Sequence, residues 1–482
     1  MIILPKKPFI WAFLSLILVV SRLYPAAGEL TGEEKGWLAR GWRTEREGWI
    51  FLHLEGKPFA RGFQHGYLLA PEIKKAVDIE RHLIHWGSPK DFEFFVRAGK
   101  RLFHASLDEE IKAELEGIAS GLEKAGVDSI GYFELLAHNA FHELFWYWWP
   151  WVKKDLPARL PPDRAEGCSA FIATGSYTAG PGIVMAHNTW TNYAFASFRN
   201  IIVDLQPEKG HRIMMQAVAG FIHSGSDFFI CSSGLVGTET TISDFTHDYD
   251  TTGTAEFSRV RRAMQYAGSL DDWASMMIEK NSGGYANSWL LGDVRSGEIA
   301  RLELGTKYHR LEKKRDGFFI GSNIAEDRDL LLNETETNFS DIRKDNVGRK
   351  VSWLRLMKMY RGRIDLELAK QMLADHYDAW LGRDNPGPRS ICGHNELADG
   401  ITLPVGGRPP FYPSGAIDGK VVDSGMARRM SFWARWGSSC GKPFIAGQFL
   451  AEHPQYEWLR GYMADRPTRN WAVFEKAGRK GN

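Results

Sequence analysis

AEGCSAFIATG, residues 165–175, marks an abrupt change of texture in the chain. Before it, Lys153 to Glu166 (KKDLPARLPPDRAE) is charged and rich in proline, and it reads as an exposed linker that proteases reach. After it, Ser169 to Thr174 reads as a strand. Taken alone, Cys168 in an apolar run reads as a small buried hydrophobe. Cleavage of the Gly167–Cys168 bond changes that reading, because one residue then carries both a thiol and a free α-amino group.

Upstream, the pattern from Trp49 to Val152 is mostly helical. Its clearest helix runs from Ser106 to about Ala125, with Ser106 and Glu109 as a capping box and Gly126 as a stop. Ile111, Leu115, Ile118 and Leu122 recur on one face of it. The run ELFWYWWPWVKK, holding Trp146, Trp148, Trp149 and Trp151, reads first as aromatic core packing and second as an acyl-chain surface. Downstream come strands at Ile183 to His187, Asn200 to Gln206, His211 to Val218, Phe228 to Cys231 and Leu235 to Thr241. The third and second of these flank a Pro207-Glu208-Lys209-Gly210 turn. A helix is expected at about Phe257 to Lys280. Strands return at Ser288 to Leu291, Ile299 to Leu304 and Phe318 to Ile320, followed by helices at about Val351 to Tyr360 and Leu366 to Ala374. The last hundred or so residues read as irregular. Strands, helices and strands again, joined by hairpin turns, predict an α+β protein of antiparallel sheets covered by helices.

Composition bounds the function without naming it. With 482 residues, 44% hydrophobic and 25% charged, the chain has ordinary globular composition; a formal net charge of +1 gives no bulk signal for nucleic acid. Residues 1–28 read as a secretory signal: Lys6 and Lys7, then a short apolar run from Phe9 to Val20, then small residues for cleavage near Ala27 or Gly28. The expected organisation is that signal, a mostly helical segment 29–167 ending in a processing linker, and a catalytic segment 168–482 forming one domain with it. Export permits disulfides, and Cys392 with Cys440 could pair; Cys168, Cys231, Cys392 and Cys440 show no CxxC and no zinc spacing, so no metal or cofactor is expected. The sequons at Asn333 and Asn338 matter only in a eukaryotic secretory host.

An N-terminal Cys168 carries its own base. An α-amino group titrates at about 7.7–8.0 and a thiol at about 8.5, so the amine suits general-base work near neutrality. Self-cleavage has a chemistry as well: the thiol attacks the Gly167 carbonyl, and water resolves the thioester. Gly167 suits this by tolerating strained backbone and leaving its carbonyl uncrowded. Asn287, in NSGGYANSWLLGD, stands just before a strand and is a candidate oxyanion donor, its bland reading being a turn cap. His187 closes the second strand, either beside the thiol or as a satisfied core histidine. There is no HExxH or Walker loop.

Several blocks in one order resemble the phospholipase-B-like family of N-terminal-nucleophile hydrolases: CSAFI with AHNTW, SGSDFFICSSGLVGTETT, FSRVRRAM, DDWASMMIEKNSGGYANSWLLGD, then IGSNIA, GRKVSWLR and SGAIDGKVVDSGMA. They cover roughly residues 165–440. GWIFLHLEGKPFARGFQHGYLLAPEI is similar to the wider penicillin acyltransferase and choloylglycine hydrolase relatives. The resemblance implies a four-layer αββα sandwich and cleavage before Cys168 into two chains that stay associated. It makes Cys168 nucleophile and base, sets His187 and Asn188 near the amine, puts Asn287 in the oxyanion hole, and places Thr240 where relatives provide a backbone N–H for it. Asn323 and Arg349 fall where relatives keep polar site or processing residues. Asn188 stands where choloylglycine relatives carry Asp and no Arg precedes it, which leaves bile-salt specificity open. The implied substrate is an acyl-containing small molecule or lipid, met in a secreted, periplasmic or lysosome-like compartment without nucleic acid and without a membrane span once the signal is removed. The rival readings are an acyltransferase of the penicillin-acyltransferase type and a non-catalytic secreted binding protein on the same scaffold.

Overall fold

A computed structural model of the chain describes residues 28–153, 167–225, 228–246, 248–398 and 409–478. Residues 1–27 of the expected signal and 154–166 of the expected linker lie outside the described residues.

The larger sheet has nine strands in the order β1 (Trp42–Arg46), β2 (Trp49–Gly56), β6 (Ile201–Pro207), β7 (Ile213–Ala217), β8 (Phe228–Cys231), β9 (Leu235–Thr241), β10 (Asn287–Asp293), β11 (Glu298–Leu304) and β12 (His309–Lys314). The smaller has six: β13 (Gly317–Gly321), β3 (Ser169–Thr174), β4 (Val184–Asn188), β17 (Asp418–Asp423), β18 (Ser431–Trp436) and β19 (Ala472–Glu475). Two small pairs complete the set, β5 (Trp190–Asn192) with β16 (Ser414–Ala416), and β14 (Tyr377–Asp378) with β15 (Arg383–Asp384).

Alternation along β3 separates the layers. Phe171 and Ala173, with Val184 and Ala186 of β4, pack on Trp353, Leu356, Ala369 and Leu373 of the helices Asp345–Met359 and Leu366–Leu373. Ile172 points the other way: a Cβ added at Gly292 of β10 would lie 3.0 Å from its Cδ1. On the far face of the nine-stranded sheet, Trp289 packs on Trp273 of the helix Leu270–Ile278 with ring centroids 4.9 Å apart. The order of layers is therefore helix, sheet, sheet, helix, an α+β four-layer αββα sandwich.

Several local readings are corrected by packing. Residues 58–152 are mostly helical as expected, but the stretch from Trp49 to Gly56 is a strand: β1 and β2 form a hairpin, and β2 pairs parallel with β6, the exception among the described strands of two otherwise antiparallel sheets. Buried on both faces, β2 lacks the alternation that betrays a strand. The helix expected from Ser106 begins at Glu109, because the Ser106 hydroxyl donates to the Phe103 carbonyl instead of capping. Its stop stands: Gly126 takes φ +85°. The helix expected over 257–280 is two, Glu256–Tyr266 and Leu270–Ile278, the second capped by Ser269 accepting from Asp272 N at 3.1 Å. The C-terminal stretch that reads as irregular supplies three strands of the smaller sheet. Trp146, Trp148 and Trp149 are buried against Phe94, Phe95 and Phe141, which is the core-packing reading of that cluster.

Beneath the helical layer lies buried His223, stacked on Phe221 with centroids 4.9 Å apart. Burial first, then His138, Arg261 and Arg199, push its pKa down to about 3. Such a neutral histidine stabilises the fold fully above its unfolded value of about 6.5, and that stabilisation is lost as pH falls toward the folded value. Between those limits the stability of wild type relative to His223→Phe is expected to drop by about 1 kcal/mol per pH unit. Paired denaturation curves across that range check this, and parallel curves would refute it.

Candidate functional site

Cys168 enters β3 fully buried, on the side of the chain that faces the larger sheet, in phase with Ala170 and Ile172. Its backbone is clamped at both ends. The Cys168 N–H donates to Asn323 Oδ1 at 3.0 Å, and Arg349 Nη1 donates to the Cys168 carbonyl at 2.5 Å. Arg349 Nη2 donates to the same Asn323 Oδ1 at 2.9 Å, and Nη1 reaches Ser169 Oγ at 3.3 Å. Asn323 Nδ2 donates to the Thr241 carbonyl at 2.7 Å, so the relay ends on β9 of the opposite sheet. Asn323 sits just past β13 at φ +67°, a left-handed conformation that asparagine tolerates better than most residues. That strain at a polar, fully packed position is of the kind that clusters at functional sites.

Gly167 is held by close approach. A Cβ there would lie 3.0 Å from the Trp190 ring and 3.7 Å from Arg349 Nη2. Arg349 stacks over that indole at 4.4 Å, and on another side a Cβ at Gly393 would overlap it. Trp190 is thus a fixed wall behind the Gly167–Cys168 bond.

The remaining expected residues divide by strand parity. In β4, His187 stands opposite Ala170 and Asn188 opposite Ser169. His187 lies on the inter-sheet side with Cys168, and its pKa is held well below the usual histidine value by burial first and by Lys420 next, partly offset by the Glu239 backbone. Asn188 lies on the other side: its Nδ2 donates to the Leu373 and Ile391 carbonyls at 2.8 and 3.2 Å, and its Oδ1 accepts from Ser439 Oγ at 2.5 Å. Its amide is committed to a helix end and two loops of the outer layer and is not brought to the Cys168 nitrogen. Thr240 faces β13, where a Cβ at Gly321 would crowd it, and its hydroxyl has no hydrogen-bond partner among the described residues. Asn287 opens β10 directly opposite Thr241, the residue on which the Asn323 relay ends. It is fully buried, and neither end of its amide has a partner among the described residues. A buried amide with both ends unmade is costly and calls for a reason.

A buried charge network beside His187 was not foreseen. Lys420, opposite His187 in register, pairs with Asp418 at 2.7 Å and donates to Thr189 Oγ1 and Gln216 Oε1. Gln216 Nε2 donates to Asp418 Oδ2 at 2.6 Å, tying β17 to β7 across the two sheets. The available signal was an Asp and a Lys two apart in AIDGKVVD, which puts both charges on one face of an apolar strand. Nor do Cys392 and Cys440 form a disulfide; both are free thiols.

The family model for Phospholipase B matches residues 137–305, a window that contains Gly167, Cys168, His187, Thr240 and Asn287. The chain is 22% identical over 354 residues to an uncharacterized protein of Archaeoglobus fulgidus, covering 68% of this chain and 58% of that protein. It is 26% identical over 297 residues to Phospholipase B of Crotalus adamanteus, covering 55% of this chain and 51% of that one. It is 30% identical over 288 residues to human Phospholipase B-like 1, covering 52% and 50%. The chain thus spans little more than half the length of these relatives. Among solved structures, the conjugated bile acid hydrolase from Clostridium perfringens aligns with TM-score 0.31 at 6% identity, over 55% of this chain and 89% of that chain.

Proposed function

From its resemblance to the phospholipase B family we propose that this chain is an exported hydrolase that cuts itself between Gly167 and Cys168 and then cleaves amide or ester bonds of acyl compounds through a Cys168 thioester. The observation that carries the reading is the clamp on both sides of the Cys168 backbone. In the uncut chain Asn323 Oδ1 accepts from the nitrogen that must leave when the Gly167 acyl group moves to sulfur. Thiol attack forms the thioester and frees that nitrogen as an α-amine; water then releases the Gly167 carboxylate and regenerates the thiol. In the cut protein the same Oδ1 holds the α-amine, and the Arg349 guanidinium beside it disfavours the ammonium form. The amine is thereby kept available as base near neutral pH. Each catalytic turn repeats the chemistry on a substrate carbonyl, and the resemblance assigns the Asn287 amide, which has no partner among the described residues, as donor to the developing oxyanion.

No helix among the described residues is long and apolar enough to cross a membrane. The proposed setting is secreted, periplasmic or lysosome-like, with a phospholipid, an N-acyl amine or a small peptide-like amide as substrate. N-terminal sequencing of the mature protein tests the scheme: a second N-terminus at Cys168 supports it, and an active protein that stays one chain overturns it. Asn323→Ala is expected to slow self-cleavage by about a hundredfold, the scale of losing one oriented polar contact at a reacting group. Timed gel separation of the freshly made protein reads that out, and unaltered processing would refute the role of the clamp.

A further inference from the structure

Four soft or borderline donors meet behind Trp190, where Cys392 and Cys440 pack on its indole. One ligand atom from each of His376, Cys392, His394 and Cys440 lies within 4.8 Å of every other. His394 Nε2 is 3.7 Å from Cys392 Sγ and 3.4 Å from Cys440 Sγ. Tetrahedral zinc bonded to sulfur at about 2.3 Å and to nitrogen at about 2.0–2.1 Å places its ligand atoms about 3.3–3.8 Å apart, and the two His394 spacings already fall in that range. Cys392 and His394 are buried, while His376 and Cys440 are partly exposed and leave a path for entry.

The surroundings are arranged as those of a metal site are. His394 Nδ1 is 2.9 Å from Glu396 Oε1, which fixes the ring with Nε2 turned to both sulfurs. Glu396 is itself held by the Tyr193 hydroxyl, donating at 2.6 Å. Cys440 Sγ accepts from the Lys442 N–H at 3.3 Å, a donor suited to a thiolate. The Nε2 of His376 is buried without a geometric hydrogen-bond partner among the described residues, and the His376 side chain interacts with the Cys440 thiol. No carboxylate belongs to the cluster, which disfavours calcium and magnesium.

We propose that these four residues bind one structural zinc ion that pins three loops of the C-terminal region behind the nucleophile strand. Four protein donors complete a tetrahedral shell, so the site is closed rather than catalytic. Its mechanical role follows from Asn188, whose amide holds Leu373, Ile391 and Ser439, residues three, one and one positions before His376, Cys392 and Cys440. Asn188 pairs with Ser169, the neighbour of Cys168. The metal and the nucleophile strand therefore share one clamp. The spacing escapes any CxxC search because the donors come from three separate loops.

The test is metal analysis of the full chain, purified from zinc-replete medium without chelator. One zinc per chain is expected, lost in Cys392→Ser and Cys440→Ser and bound about tenfold more weakly in Glu396→Gln. Should those variants fail to fold, wild type alone decides. Exchange of its metal for Co²⁺ is expected to give the intense visible bands of tetrahedral cobalt with thiolate charge transfer in the near ultraviolet. A wild-type chain two hydrogens lighter, with Cys392 and Cys440 joined and metal-free, overturns the proposal. So does a chain with both thiols free that takes up neither zinc nor Co²⁺, and so does the weak spectrum of six-coordinate cobalt.

Discussion

Cys168→Ala is expected to yield a single uncut chain with no measurable hydrolysis of any acyl substrate. The thiol is required twice in the proposed scheme, once against the Gly167 carbonyl and once against substrate, so its loss removes both steps together. The backbone clamp does not depend on the side chain: the Asn323 and Arg349 bonds are made to Cys168 N and O. A methyl group in the fully buried position of the thiol leaves the variant folded, and its thermal midpoint is expected to match that of uncut wild type. Cys168→Ser separates the two roles further, because a hydroxyl is a weaker nucleophile at the same place. Slow cutting with activity far below wild type is expected, followed by intact mass and acyl release. A Cys168→Ala protein that cuts itself, or an uncut one that turns over substrate, would falsify the assignment.

The second large effect lies far from the chemistry. The helices Pro58–Leu68 and Glu109–Lys124 cross at glycines from both sides. A Cβ at Gly62 would come within 2.1 Å of the Glu114 carbonyl oxygen, and one at Gly66 within 2.1 Å of that of Ile118. Reciprocally, Gly117 and Gly121 would meet the carbonyl oxygens of Phe59 and Phe63 at 2.2 and 2.3 Å. These obstacles are backbone, so no rotamer change relieves them and the helices must part. The crossing is locked beside it by Glu114, which accepts from Arg61 Nε at 2.7 Å and from Arg261 Nη1 at 3.0 Å, all three side chains being buried. Separation of the helices therefore also weakens a buried ion network whose breaking costs about 3–5 kcal/mol. Gly62→Ala and Gly117→Ala are each expected to destabilise the protein by about 3 kcal/mol or more. Gly36→Ala is the control: the position is helical, nothing lies within 4 Å of the added Cβ, and little change or slight stabilisation is expected. Thermal unfolding of the three variants side by side decides it; equal midpoints would show that the helices have room to spare.

Local chemistry carried much of the architecture. Ser169 to Thr174, Phe228 to Cys231 and Leu235 to Thr241 are read at their observed boundaries, because a short apolar run between turn residues defines a strand without outside help. The Pro207–Gly210 turn reads correctly because Gly210 takes φ +85°, which glycine adopts freely. Failures cluster where burial on both faces erased alternation, as in β2, or where strands sit among Gly and Pro, as in β17 to β19. The two G-x-x-x-G spacings at 62/66 and 117/121 were visible as letters, but nothing along the chain says that they face each other.

The sequence by itself determined which cysteine heads a strand, that an abrupt change of texture precedes it, and the run of strands from Ser169 to Thr241. Those features depend on near neighbours and on period. Only the tertiary structure decided which groups touch that cysteine. Asn323 and Arg349, positions of secondary weight on resemblance alone, reach its backbone from 155 and 181 residues away. Asn188, one residue from His187, is turned to the opposite face and spends its amide on one helix end and two outer loops. Strand parity and loop convergence set such contacts, and both arise only when the two sheets pack. For the same physical reason the Gly167–Cys168 junction is legible as a place, while the clamp around it is a property of the fold.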